Sequence, residues 1–181
     1  MPGKRTVLAV AVAFALPVFA FAADALSHAD SSFLKDAAES GLFEVQAAQV
    51  AQQKGNDAQV KTFAQTMVDD HTKANQELQS LAQQKGVKLP TSPSMGQKAK
   101  LGTLNHWTKS GFDHHYADDQ ISAHKDAVKL FTKESTGAKD ADIKAWAAKT
   151  LPTLQHHLDM AQQLAAATKS SSSSSASAAS R

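Results

Sequence analysis

The chain has 181 residues, with 19 Lys and Arg against 17 Asp and Glu, and it contains no cysteine. The absence of cysteine excludes disulfides, thiol catalysis and thiolate metal sites. Nucleic-acid binding requires clustered Lys and Arg. The sequence has no such cluster, so we predict no nucleic-acid partner.

The N-terminus has the pattern of a secretory signal peptide. Lys4 and Arg5 precede an apolar run, and the small residues Ala20 and Ala22 supply a cleavage pattern. We predict a cleaved signal over 1–22 and therefore a periplasmic or secreted protein. The alternative is an uncleaved inner-membrane anchor, because the 17 residues 7–23 are at the short end of what crosses a bilayer. No later segment is apolar enough to span a membrane, and loss of Lys4 and Arg5 leaves 17 basic against 17 acidic residues.

The rest of the chain has the composition and periodicity of a helical protein. It is rich in Ala, Gln, Lys and Leu and poor in β-branched runs, which favours helix. Apolar residues recur at spacings of three and four, which predicts four long helices over roughly 32–54, 57–85, 112–135 and 140–168. A short helix is also predicted over roughly 97–107. Pro152 lies inside the last long helix and is expected to kink it.

Breaks between these segments predict how the helices connect. Gly55 and Gly137 lie in short breaks, so the first two and the last two long helices should form antiparallel hairpins. The fold class predicted is all-α, a ferritin-like four-helix bundle over 30–168 in which a long connection joins two hairpins. The sequence leaves open whether that connection crosses the bundle. Residues 169–181 are nearly all Ser and Ala and are predicted to be a disordered tail.

One polar residue lies on or beside the predicted apolar face of each long helix. His71 lies in the middle of an otherwise apolar stripe, and His157 lies between Leu154 and Ala161. His124 and Glu44 flank the apolar faces of the other two helices. Such residues are costly in a core unless they are paired or hold a metal, and bundles build internal sites from inward side chains of this kind. Near these four residues, Asp70, Asp113 and Tyr116 are secondary candidates.

Their heights along the helices give a second criterion. Counted from the Gly55-Asn56 turn, Glu44 and His71 differ in height by roughly 5–6 Å. Counted from Gly137, His124 and His157 differ by roughly 10 Å, more than one ion bridges without help from the kink. The better-matched pair is therefore His71 with Glu44. A buried polar layer with His–Glu, His–Asp and Tyr–His hydrogen bonds is the alternative explanation for the whole set.

The chain also resembles an exported bacterial family known as domain of unknown function 4142. The resemblance rests on motifs from all four long helices. They are Phe33, Ala37-Ala38, Gly41 and Glu44-Val45; Val60-Lys61-Thr62-Phe63-Ala64; Met67-Val68-Asp69-Asp70-His71; Phe112-Asp113, Tyr116 and His124; and Leu151-Pro152, Leu154 and His157-Leu158. The resemblance implies a ferritin-like fold and a polar set of Glu44, His71, Asp113, Tyr116, His124 and His157, without an established function.

Two functional hypotheses follow. The first is a periplasmic protein, linked to envelope stress, that binds a transition metal through Glu44, His71, His124 and His157; a histidine-rich set favours zinc, copper or iron. The second is a non-catalytic envelope bundle that holds a polar layer without metal and that oligomerises or binds an envelope protein. An enzyme is the least favoured class, since the glycine-rich phosphate loop, the G-x-S-x-G elbow and the H-E-x-x-H motif are all missing. Glu-x-x-His, the di-iron motif, is also missing, because Val68 and Leu154 stand three residues before His71 and His157.

Overall fold

The computed structural model describes residues 26–179, and within that range the protein contains α-helices and no strands. The helices are α1 (His28–Lys54), α2 (Ala58–Gln84), α3 (Met95–His106), α4 (Lys109–Gly137) and α5 (Ala141–Ala179). The all-α prediction is confirmed, with five helices rather than four in this part of the chain. The extra one is the short α3, which the sequence predicts. The predicted signal peptide lies outside the described residues.

The helices begin where side chains can satisfy their free backbone N–H groups. Ser27 Oγ accepts from the backbone N–H of Asp30 at 3.1 Å, and Asp57 Oδ1 accepts from that of Gln59 at 2.8 Å. Ser94 and Gln97 form a reciprocal capping box at the start of α3. Gly86 follows α2 with a φ of 67°, a left-handed conformation that glycine adopts without strain.

Two buried or partly buried carboxylates tie the hairpins together and fix the direction of the helices. Asp30, at the start of α1, accepts from the backbone N–H groups of Lys139 and Asp140, both at 3.1 Å, between α4 and α5. Asp113, at the start of α4, accepts from the backbone N–H of Asp57 at 2.9 Å, just after α1. The start of each of these two helices therefore lies beside the end of the other, so α1 and α4 are antiparallel.

This arrangement decides the path of the long connection. Lys85, just after α2, pairs with Asp140 and Asp142 at the start of α5, at 2.7 and 2.6 Å. Helix α2 therefore ends at the opposite end of the protein from the start of α4. The connection that contains α3 must run the length of the helices, and α3 packs mainly on α1 and more weakly on α4. The crossing that the sequence left open is present.

The core consists of two apolar clusters with a polar layer between them. One cluster includes Met67, Tyr116 and Ala161, and the other includes Leu78 and Leu154. On α2 and α5 the residues between the two clusters include His71 and His157. The sequence pattern thus leads to a layer of buried polar side chains across the middle of the protein.

Helix α5 is longer than predicted. It contains Pro152, and it continues to Ala179 instead of ending near residue 168. Its last residues, 169–179, belong to the segment that was predicted as a tail. Adding residues to an existing helix is far less costly than nucleating one, and alanine has the highest helix propensity. Among the described helices, none is both long and apolar enough to cross a membrane.

Candidate metal centre

Three histidines from three different helices meet in the polar layer. His71 of α2 is 7% exposed, and His124 of α4 and His157 of α5 are each 1% exposed. Their ring centroids lie 5.6 Å apart for His71 and His124, 5.3 Å for His71 and His157, and 5.4 Å for His124 and His157. One ring nitrogen from each lies within 4.8 Å of the other two. Within the described part of the chain, these three histidines are the group of three or more His, Asp or Glu residues whose ligand atoms lie close enough together to hold one metal ion.

Hydrogen bonds at the outer side of two rings fix where their protons lie. His124 Nδ1 donates to the backbone carbonyl of Gln120 at 3.0 Å, and His157 Nε2 donates to Asp70 Oδ2 at 2.9 Å. Because a carbonyl and a carboxylate accept, the proton of each neutral ring is on the bonded nitrogen. The second nitrogen of each ring therefore carries a lone pair.

Those second nitrogens have no partner inside the protein. His71 Nε2, His124 Nε2 and His157 Nδ1 are all buried and make no hydrogen bond. Leaving a buried polar atom unpaired costs about 1–3 kcal/mol. Of the hydrogen bonds expected for a satisfied polar layer, the His–Asp bond of His157 is present, whereas these three buried ring nitrogens are unsatisfied.

Burial favours the uncharged form of His71 and of His157. Desolvation, followed by the neighbouring His124 and His157, lowers the pKa of His71 well below its ordinary value of 6.5. Desolvation also lowers the pKa of His157, although the hydrogen bond to Asp70 acts in the opposite direction. Neutral imidazole is the form that binds metal ions, so burial favours the ligand form of these two side chains.

Glu44 forms a neighbouring polar group and is not among the three residues with ligand spacing. Its carboxylate accepts from Gln120 Nε2 at 2.7 Å. Desolvation raises the pKa of Glu44, with His124 and Gln120 acting against that shift. Tyr116 is fully buried, and both desolvation and Glu44 raise the pKa of its phenol well above 10.

The structure pairs the predicted residues differently from the height estimate. His71 meets His124 and His157 instead of Glu44. The estimate took Gly137 as the turn, whereas α4 ends at Gly137 and the middle of the connection is Lys139. His124 lies 15 residues before Lys139 and His157 lies 18 after it. The difference of three residues is only about 4.5 Å, which one helix can accommodate by tilting.

The remaining predicted residues have distinct positions. Asp70 holds His157, as described, and Asp113 caps the connection between α1 and α2 at the end of the helices. Asp113 lies eleven residues before His124 on α4, which is about 16 Å along the helix axis. Gln120 was not predicted, although it bonds to Glu44 through its side chain and to His124 through its carbonyl. Its position four residues before His124 on one helical face is the signal that could have identified it.

A cavity of about 210 Å³ lies next to the histidines. Its walls include His71, His124 and Glu44, together with largely apolar side chains of α1, α2, α4 and α5. His157 is not one of the lining residues. An ion held by the three rings would therefore have open space on the side of His71 and His124.

Comparisons with known proteins give a family and a fold. The family model described as "Domain of unknown function (DUF4142)" matches residues 17–164. No curated protein matches the sequence significantly. A solved fragment of a DUF305 protein from Deinococcus radiodurans is similar in structure, with a TM-score of 0.70 at 10% identity over 78% of this chain and 97% of that one.

Two further solved structures are of the protein CopM. Its Cu(I)-bound form has a TM-score of 0.64 at 18% identity over 74% of this chain and 93% of CopM. Its Cu(II)-bound form has a TM-score of 0.62 at 17% identity over 75% and 95% of the two chains. At these identities the similarity establishes a shared helical fold.

Proposed function

This chain belongs to the DUF4142 family, and we propose that it is a ferritin-like four-helix bundle that binds one transition-metal ion, copper in the first place. His71, His124 and His157 are the proposed ligands. Glu44 contributes a nearby carboxylate that favours a cation beside His124, and Asp70 orients His157. Asp113 and Tyr116, the other secondary candidates, are proposed to support the fold around the site rather than to bind the ion.

The observation that carries the proposal is that three buried imidazoles meet and that each has a ring nitrogen without a hydrogen-bond partner. His71 Nε2, His124 Nε2 and His157 Nδ1 each lack a partner. Three such atoms together would cost several kcal/mol if nothing bound them. A metal ion satisfies all three lone pairs at once, because imidazole nitrogens bind it at about 2.0–2.1 Å in zinc sites and similarly in copper sites.

The second nitrogens of two ligands already have the contacts typical of metal sites. A histidine that binds a metal almost always donates its other N–H to a carboxylate or a backbone carbonyl. Asp70 serves this purpose for His157, and the carbonyl of Gln120 does so for His124. These contacts hold the rings in one tautomer before any ion arrives.

The ligand chemistry favours copper over the alternatives. Calcium and magnesium prefer oxygen ligands, and the group contains nitrogen alone. Imidazole suits zinc, copper and iron, and copper(II) binds most tightly among the divalent first-row metals. The copper-bound forms of CopM, which share the fold, support the same choice. A di-iron centre is disfavoured because Val68 and Leu154 replace the glutamates that such centres need.

The predicted export of the chain would place this site in the cell envelope. A buried site built from three histidine side chains favours holding an ion over catalysis. We therefore infer a role in binding metal in the periplasm, with relevance to envelope stress, and not an enzymatic activity.

Metal titration of the purified chain tests the proposal. We expect one Cu(I) or Cu(II) per chain, measured by competition with a chromogenic chelator, and a loss of tight binding in His157→Ala. His156→Ala is the matched control, because His156 is the exposed neighbour on the same helix. Equal binding by both variants and the wild type would exclude the three-histidine site. Stoichiometric binding of zinc or iron in place of copper would keep the site and correct the metal.

The second function is a metal-free envelope bundle that assembles with itself or with another envelope protein. It explains the buried histidines as a structural layer. On this hypothesis His71→Leu removes an unpaired polar atom, leaves the phenotype intact and folds at least as stably as the wild type. The copper hypothesis shares the expected gain in metal-free stability but requires that His71→Leu loses stabilisation by the metal.

A further inference from the structure

We propose that the cavity beside the three histidines is a binding site for a small nitrogen heterocycle, which completes the coordination of the bound metal. This inference rests on the proposed function. It concerns a different part of the protein, the space next to the ligands. The cavity has a volume of about 210 Å³.

The cavity starts at the metal-binding layer and extends along the helices. Its lining includes Glu44 and His124 at the level of the layer, and Phe131 and Trp146 toward the connection of α4 with α5. Ala123 and Phe131 of α4 line the cavity and are eight positions apart, about 12 Å along the helix. An occupant can therefore contact an ion at the histidines while its body lies between α1, α4 and α5.

One side of the cavity suits a compact apolar group, and the other side is polar. Leu78, Leu130, Phe131 and Leu154 provide the apolar surface, and Asn75 and Thr150 are among the polar lining residues. Because a cavity of about 150 Å³ can hold benzene, this one has room for a fused or substituted ring.

An ion held by the histidines would favour an occupant that carries a lone pair. Three histidine ligands would leave room for a fourth ligand, as in catalytic zinc sites. A heterocycle with an unprotonated ring nitrogen would supply that ligand, and its ring would lie against the apolar side of the cavity.

The surroundings also provide a path into the cavity. Exposed Lys100 and Asp126 are among its lining residues, beside the short helix α3. Gln97 Nε2 of α3 donates a long hydrogen bond of 3.4 Å to Ser40 Oγ across this entrance. A ring-sized molecule would enter here, beside the exposed side chains of Lys100 and Asp126.

The test compares benzimidazole with indole on the metal-loaded protein. The two molecules have the same shape, and benzimidazole alone carries a ring nitrogen with a free lone pair. We expect calorimetry with the Cu(I)-loaded chain to give a dissociation constant for benzimidazole that is lower than that for indole by about tenfold or more. On the metal-free chain the two should bind alike.

Filling the cavity without changing the histidines gives the matched variants. Ala37 lines the cavity and is 5% exposed, so Ala37→Leu should abolish benzimidazole binding and leave Cu(I) affinity unchanged. Ala148→Leu, at an exposed position on α5, is the control and should behave as the wild type. If Ala37→Leu does not fold, Ala127→Leu, at a half-buried lining position, replaces it.

The outcomes separate this inference from the proposed function. Normal Cu(I) binding with no preference for benzimidazole over indole would overturn the inference and leave the metal site standing. Unchanged benzimidazole binding in the filled-cavity variant would likewise overturn it. Failure of the wild type to bind any metal would overturn the proposed function first, and this inference with it.

Discussion

Removal of the Asp70 carboxylate is the most direct test of how the protein prepares its histidines for a metal. In Asp70→Ala the Nε2–H of His157 loses its acceptor at 2.9 Å, and the ring is free to exchange tautomers. Loss of such a supporting contact typically lowers metal affinity about 10- to 100-fold, which corresponds to about 1.4–2.7 kcal/mol. We expect a loss toward the smaller value, because the Asp70 side chain is 43% exposed and water can replace part of the contact.

The assay is a chelator-competition titration with Cu(I), with thermal unfolding of the metal-free chain in parallel. Asp69→Ala is the matched control, since it removes the same charge from an exposed neighbour that accepts from Gln65. A general effect of negative charge would weaken both variants equally. The reasoning is refuted if Asp70→Ala and Asp69→Ala bind copper within about twofold of each other, a difference of only ~0.4 kcal/mol.

Three further predictions concern stability. Burial lowers the pKa of His71 and of His157 below 6.5, so below that pH the unfolded chain takes up protons that the folded chain does not. Denaturant titrations of the metal-free chain should therefore show that the free energy of unfolding falls below pH 6.5, by up to about 1.4 kcal/mol per pH unit for each histidine. The slope should be smaller in His71→Leu. Asp30→Ala removes a buried carboxylate that accepts from two backbone N–H groups, and we expect urea unfolding to show a free energy of unfolding lower by about 2–4 kcal/mol. An unchanged urea midpoint would contradict this role of Asp30. Gly55→Ala places a Cβ 2.7 Å from the carbonyl oxygen four residues earlier, and we expect it to lower stability by about 1–3 kcal/mol. Gly102→Ala lies in open space within α3, and we expect it to raise stability by up to about 1 kcal/mol. A higher melting temperature for Gly55→Ala than for Gly102→Ala would contradict the packing.

The helices follow from local features of the sequence. The spacing of apolar residues predicts α1, α2, α4 and α5 to within a few residues at most ends, because each helix must bury one continuous stripe. The apolar pattern stops at Gly55 and at Gly137. Helix α1 ends just before Gly55, and α4 ends at Gly137. The end of α5 is the exception, since helix propagation through Ser and Ala depends on the preceding helix and not on burial.

The direction and path of the chain depend on contacts between distant residues. Asp30 reaches residues more than a hundred positions away, and Asp113 reaches the end of α1. No periodicity within one helix specifies such partners. The crossing of the long connection follows from these contacts, because they place the end of α2 and the start of α4 at opposite ends of the protein.

For the site, the sequence predicted that His71, His124, His157 and Glu44 face inward from separate helices, since each one lies on or beside an apolar stripe. The tertiary structure alone decided which of them meet: three imidazoles converge, and Glu44 turns to Gln120 instead. The physical reason is that helical periodicity fixes the direction of a side chain around its own axis. The relative height of two helices depends on where the connection actually turns and how the helices tilt, and an error of two residues in a turn shifts the estimated offset by several ångströms.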